Sequence, residues 1–125
     1  MAQVIVILPW PPAALSPNAR GHWAMKHTAF KKAKSDAYWS ALEALGPRGA
    51  RRLTQTIGGI PVRVTLSPPD ARRRDADNIL ASCKAYLDGI AQAVGLDDRR
   101  FNPITVLRDA PVKGGAIAFL IGDSK

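Results

Sequence analysis

The chain has 125 residues, 46% hydrophobic and 22% charged, which suits one folded domain with a buried core and is too short for two. Eighteen Lys and Arg against ten Asp and Glu leave a net charge of +8, so the expected partner is a polyanion, whose condensed counterions clustered cations release. The longest apolar runs, such as Val4 to Leu8, are far too short to span a bilayer, and no basic helix carries a wide apolar face, so no membrane partner is expected. No secretory segment opens the chain, and a cytoplasmic location is expected.

Gln3 to Leu8 is β-branched and apolar and reads as a buried strand stopped by Pro9. Prolines, Asn18 and Gly21 make the stretch up to about Trp23 an irregular loop. Residues 25 to 45 place Phe30, Ala33, Ala37, Ala41 and Leu45 at helical spacing, with a lysine-rich outer face that includes Lys31 and Lys32. Gly46-Pro47 is the expected stop, and residues 46 to 58 read as a connector. Ile60, Val62, Val64 and Leu66 alternate as in a half-buried strand that Pro68 and Pro69 end.

From Asp77 to Val94 the apolar set Ile79, Leu80, Cys83, Leu87, Ile90, Ala91 and Val94 predicts one helix, capped by Gly95. Thr105 to Leu107 and Ala116 to Ile121 read as two strands joined by a hairpin turn through APVKGG. The order β-α-β-α-β-β predicts a single α+β domain, a mixed sheet with its helices on one face.

Six of the ten acidic residues fall between Asp70 and Asp98, against a run of three arginines, Arg72 to Arg74. Across Asp75-Ala76-Asp77 the spacing of two puts both carboxylates on one side of an extended segment, where a hard cation such as Mg²⁺ can bridge them, and Asp98 can join as the chain folds back. On a single helix at about 100° per residue, Asp77, Lys84 and Asp88 lie within roughly 40° of one another, and the apolar stripe centres about 110° away. The same spacings also describe an ordinary Lys84/Asp88 surface pair and an N-cap at Asp75 or Asp77. Likewise, the arginines read as a solvated basic turn, or as phosphate contacts beside acids that carry a metal.

Other residues carry weaker signals. His22 and His27, five residues apart, share no helix face and no evident carboxylate, and read as solvated or structural. Trp10, Trp23 and Trp39 suit loop or core anchoring, with Trp10 and Trp23 in irregular segments where a ligand or subunit contact is also open. Cys83, the single cysteine, lies in an apolar stripe and reads as a small buried hydrophobe.

LPWPP (8 to 12), PPDARRRDADN (68 to 78), the Lys84-to-Asp88 segment, GLDD (95 to 98) and PVKGG (111 to 115) resemble, in order, the pattern of RusA-like Holliday junction resolvases. The resemblance implies a homodimeric, Mg²⁺-dependent endodeoxyribonuclease, with Mn²⁺ able to substitute, that nicks two opposed strands of a four-way DNA junction and is mostly carried by phages and prophages. Asp75 and Asp77 match the acids of its D-x-D-N motif, whose Asn is Asn78, and Asp98 matches a third acid. Lys84 resembles its catalytic lysine; Asp70 matches an acid of the pattern, with a turn or Arg-pairing role expected of it, and Asp88 and Asn78 are accessory candidates. Arg72, Arg73 and Arg74, with Lys31 and Lys32, would hold DNA phosphates. The family lysine falls three residues after the Asn, where this chain has Ala81. Lys84 therefore comes nearly one turn later, roughly 4.5 Å further along a helix. Two other expectations stay open: a non-catalytic DNA-binding or regulatory protein on the same scaffold, and a nuclease of branched DNA in general.

Overall fold

A computed structural model describes residues 3–54 and 57–122, with the side chains of 47–52 and 54 outside the description. The elements run β1 (Val4–Pro9), α1 (Trp23–Thr54), β2 (Ile60–Ser67), α2 (Ala76–Ser82), α3 (Lys84–Val94), β3 (Phe101–Arg108) and β4 (Ala116–Ile121). Short 3-10 turns at Ala13–Leu15 and Asp98–Arg100 complete them. The domain is α+β with a mixed sheet, as expected.

Sheet order is β1-β4-β2-β3. β4 pairs antiparallel with both β1 and β2, and β2 pairs in parallel with β3. Strands 2 and 3 cannot be joined by a tight turn, because parallel neighbours need a crossover, and α2 and α3 form it. The expected β3-β4 hairpin is therefore corrected: β2 lies between the two strands. After β3 the chain still follows the end of β2, with Asp109 N–H donating to Leu66 O at 2.9 Å and Val112 N–H to Pro68 O at 2.9 Å, before it reverses into β4.

Three boundaries also differ from expectation. The chain turns at Gly46 (φ 61°, ψ 175°) and then resumes its helix to Thr54, so 47–54 is helical and not a connector. A residue before proline is held out of the helical region, while proline suits a first helical position, so Gly46-Pro47 restarts the helix it interrupts. The helix expected from Asp77 to Val94 is broken at Cys83 (φ −91°, ψ 4°). Ser82 Oγ donates to the Asn78 carbonyl at 2.9 Å, a back-bond that bends helices. Finally β3 spans Phe101–Arg108, longer than Thr105 to Leu107, because it is an edge strand exposed along most of its length and shows no clean alternation.

One sheet face is buried: Val4, Val6 and Leu8, Val62, Val64 and Leu66, and Ile117, Phe119 and Ile121. Val4, Val6 and Ile121 meet Ala41, Leu45 and Leu53 of α1 and Ile90 and Val94 of α3. The other face leaves Ile5 and Ile7 exposed. Cys83 is buried as expected, and desolvation pushes its thiol up to about 12, which suits packing and not reactivity. Among the described residues no helix is long and apolar enough to cross a membrane.

Helices α1 and α3 meet at backbone distance. A Cβ on Gly89 would lie 2.2 Å from Lys34 O and 3.0 Å from Ala37 Cβ, and neither atom can move aside. Gly89→Ala is expected to lose about 1–3 kcal/mol of stability in denaturant unfolding. Gln92→Ala, on the exposed side of the same helix, should stay within about 0.5 kcal/mol.

Candidate active site

The chain between β2 and β3 carries Asp70, Arg72 to Arg74, Asp75, Asp77, Lys84, Asp88 and Asp98. Its first part is a braced turn. Asp70 Oδ1 accepts from Arg72 N–H at 2.9 Å and pairs with Arg74 Nη1 at 2.9 Å. The Arg74 side-chain hydrogen bond, aided by the Arg72 backbone N–H, holds the Asp70 carboxyl below its ordinary value. Arg74 Nη1 also donates to the carbonyls of Asp70 (3.2 Å) and Arg72 (3.1 Å), and its guanidinium lies 5.6 Å from the Trp10 ring centroid. Arg108 Nη2 donates to Arg74 O at 3.0 Å.

The three arginines are thus not equivalent. Arg74 is 15% exposed and works inward on the turn, while Arg72 and Arg73 face solvent. Asp70 takes the turn-building role. Arg108, which sequence reading did not single out, is a single basic residue at a strand end, and only the sheet's register brings it to the turn.

Asp75 is the N-cap of α2: its side chain accepts from Asp77 N–H at 2.9 Å, and Asp77 stands in the first turn, where a carboxylate favours the helix dipole. Both acids are exposed, and Asn78 is half-buried. Lys84 opens α3 and donates from Nζ to Asp88 Oδ1 at 2.9 Å and to Asp98 Oδ2. Gly95, left-handed at φ 87°, turns the chain back so that the 3-10 turn capped by Asp97 delivers Asp98 to that lysine. Asp98 lies below its ordinary pKa chiefly through the Lys84 hydrogen bond and then that of Asp88. Lys84 is raised in turn by Asp98 and Asp88.

Two sets of residues therefore form on one crossover: the arginine turn running into Asp75 and Asp77, and the Asp88–Lys84–Asp98 cluster. The break at Cys83 removes the continuous helix on which the Asp77, Lys84 and Asp88 wheel relied. Lys84 reaches Asp98 because α3 packs on α1 and Gly95 reverses the chain. Lys32 pairs instead with Asp36 at 2.8 Å, and Lys31 lines a shallow groove with Tyr38 and Gln92. Neither enters the two sets among the described residues. His22 Nδ1 accepts from Ala24 N–H at 3.2 Å near the start of α1, a structural use, while Trp23 and Trp39 are exposed.

The donor chemistry of Asp75, Asp77 and Asp98 suits a hard cation, yet among the described residues no three acidic, His or Cys side chains are arranged to hold one. Asp98 is engaged by the Lys84 ammonium, so the arrangement is not a ready metal cage.

A carboxyl whose folded pKa is depressed contributes stability that is present above its unfolded value and is lost as pH falls through the folded one. A side-chain NMR titration should find Asp98 below 3.8 in the folded chain, and Lys84→Ala should move it upward. An unchanged midpoint in the variant would mean that the ion pair does not form in solution.

No family model matches the chain. It is 38% identical over 115 residues, 91% of its length and 72% of the relative's, to a protein of Xylella fastidiosa described as uncharacterized. It is 41% identical over 67 residues, 53% of each chain, to crossover junction endodeoxyribonuclease rusA of Enterobacteria phage HK97, so the match spans about half of that protein. The chain belongs to the same family as the Xylella protein and shares a partial, RusA-like relationship with the phage nuclease.

Proposed function

We propose that the chain is a Mg²⁺-dependent endodeoxyribonuclease of RusA type that binds four-way DNA junctions and nicks two opposed strands. The observation that carries this reading is the crossover itself, where solvent-facing Arg72 and Arg73 run directly into exposed Asp75 and Asp77 at a helix start. Asp75 and Asp77 serve the helix start, yet neither is held in an ion pair among the described residues, and carboxylates beside phosphate contacts weaken binding to DNA alone. The partial likeness to the phage nuclease supports the same chemistry.

Arg72 and Arg73 would take backbone phosphates, contacts that position DNA without reading its sequence. Asp75, Asp77 and Asp98 are the acids proposed to meet Mg²⁺, or Mn²⁺ in its place, a group that supplies Lewis-acid polarisation when bound. Among the described residues these acids do not form a metal cage, since Asp98 is engaged by Lys84. Lys84, held at Asp98, would meet negative charge developing on a phosphate. Two symmetric cuts call for two sites, hence a homodimer, in DNA recombination or repair and in a phage or prophage setting.

One observation favours a second reading: Asp98 is closed onto Lys84, as a non-catalytic junction binder on this scaffold would allow. A substrate panel separates the readings. Wild-type protein should cut a synthetic four-way junction with Mg²⁺ and not with EDTA, while Asp77→Asn binds it without cutting. Lys84→Ala should lower the cutting rate by about 10²–10³-fold. Equal cutting of flaps and three-way junctions would make the chain a general branched-DNA nuclease. No cutting of any substrate, with binding retained, would make it a binder.

A further inference from the structure

A cleft of about 300 Å³ opens on the arginine turn, whose residues Asp70 to Arg74 form one of its walls. Its lining includes buried or half-buried Leu66, Ile79 and Trp10 and exposed Arg72, Arg108 and Asp109. Arg74 and Ala76, the neighbours of Asp75 on either side, also line it, so the cleft adjoins the first candidate acid. The sheet explains the gathering. Pro9 pairs with Ala116, Ala116 with Ser67, and Leu66 with Arg108, so the ends of β1, β2 and β3 and the start of β4 gather at one end of the sheet.

The cleft is also held in shape. Tyr86 Oη donates to Pro9 O at 2.8 Å, fixing the residue before Trp10. Gly115, at φ +73°, brings the loop so close that an added Cβ would lie 2.9 Å from Trp10 Cβ and 3.0 Å from Pro69 Cδ. With the Val112 to Pro68 and Asp109 to Leu66 hydrogen bonds, the walls need little ordering when a ligand arrives.

An apolar, aromatic lining suits neither a bare phosphate nor an ion, and a charged rim suits no aliphatic ligand. A flat group with apolar faces, a polar edge and an anionic tether matches both. We propose that the cleft receives one unstacked nucleobase from the branch point of the DNA. Trp10 supplies contact with the base, Asp109 can accept from an exocyclic amino group, and Arg72 and Arg108 can donate to ring acceptors and the flanking phosphate. Bases at a branch point are the least held by stacking, so drawing one out costs least there. The cleft would then set which phosphate of the junction lies beside Asp75.

This rests on the junction-nuclease reading, and its test separates the two. Affinity of the full chain for four-way junctions is measured in EDTA, with an abasic sugar placed in turn at each nucleotide around the branch point. Wild-type protein should lose about tenfold at one position, the scale of a single stacking contact. Trp10→Leu, checked for its fold by circular dichroism, should lose less than twofold there, while Trp10→Phe keeps the full dependence. Ala71→Leu, which narrows the cleft from an exposed position, should behave as Trp10→Leu does. Tight junction binding with no base-dependent position, or the same dependence in Trp10→Leu and Ala71→Leu, overturns the cleft proposal alone. Failure of wild-type protein to prefer a junction over duplex overturns the junction reading with it.

Discussion

Where α1 and α3 touch, Gly89 stands against Lys34 O and Ala37 with no room for a methyl group, and much of the molecule follows from that closeness. Ala33, Ala37 and Ala41 make a smooth stripe on α1, and Ile90 and Val94 of α3 fill the space between the helices and the sheet. A helix seated this closely has one lateral position and one rotation. That rotation leaves Lys84 and Asp88 at the solvent-facing side, where the chain returning through Gly95 can add Asp98.

The parallel pairing of β2 with β3 has a second consequence. It obliges the chain to cross over, and the crossover collects the acids and arginines that an alternating strand or an apolar helix face has no place for. Ends of parallel strands are where α/β sheets build their sites. Here the turn after β2 receives Arg108 from the end of β3 and Trp10 from the end of β1. The adjacency of Asp70 and the arginines, an apparent conflict in a chain of net charge +8, resolves into a frame: Asp70 and Arg74 stiffen the turn, and Arg72 and Arg73 are left outward.

What could be read from the chain was local. The alternation of Ile60 to Leu66, the spacing of Ala33, Ala37 and Ala41, and Gly95 as a cap each reflect a period or a backbone need, and each stands in the structure. What was not legible depended on partners distant in sequence or on single hydrogen bonds. Ser82 is polar and ordinary in a helical stripe, and only its bond to the Asn78 carbonyl marks the bend at Cys83. Gly46-Pro47 carries the signature of a helix stop, and nothing local says that the helix restarts. Strand β3 hides because an edge strand needs no apolar alternation, and the Lys84–Asp98 pair spans a turn that periodicity cannot fold.

The proposal under test is that the arginine turn and the Lys84–Asp98 cluster both meet DNA. A backbone amide chemical-shift map of the full chain, titrated with a synthetic four-way junction in EDTA, tests it most directly. The account requires shifts in both 70–78 and 84–98, saturating together at one junction concentration. Shifts confined to the lysine face of α1, with the crossover unmoved, would contradict it.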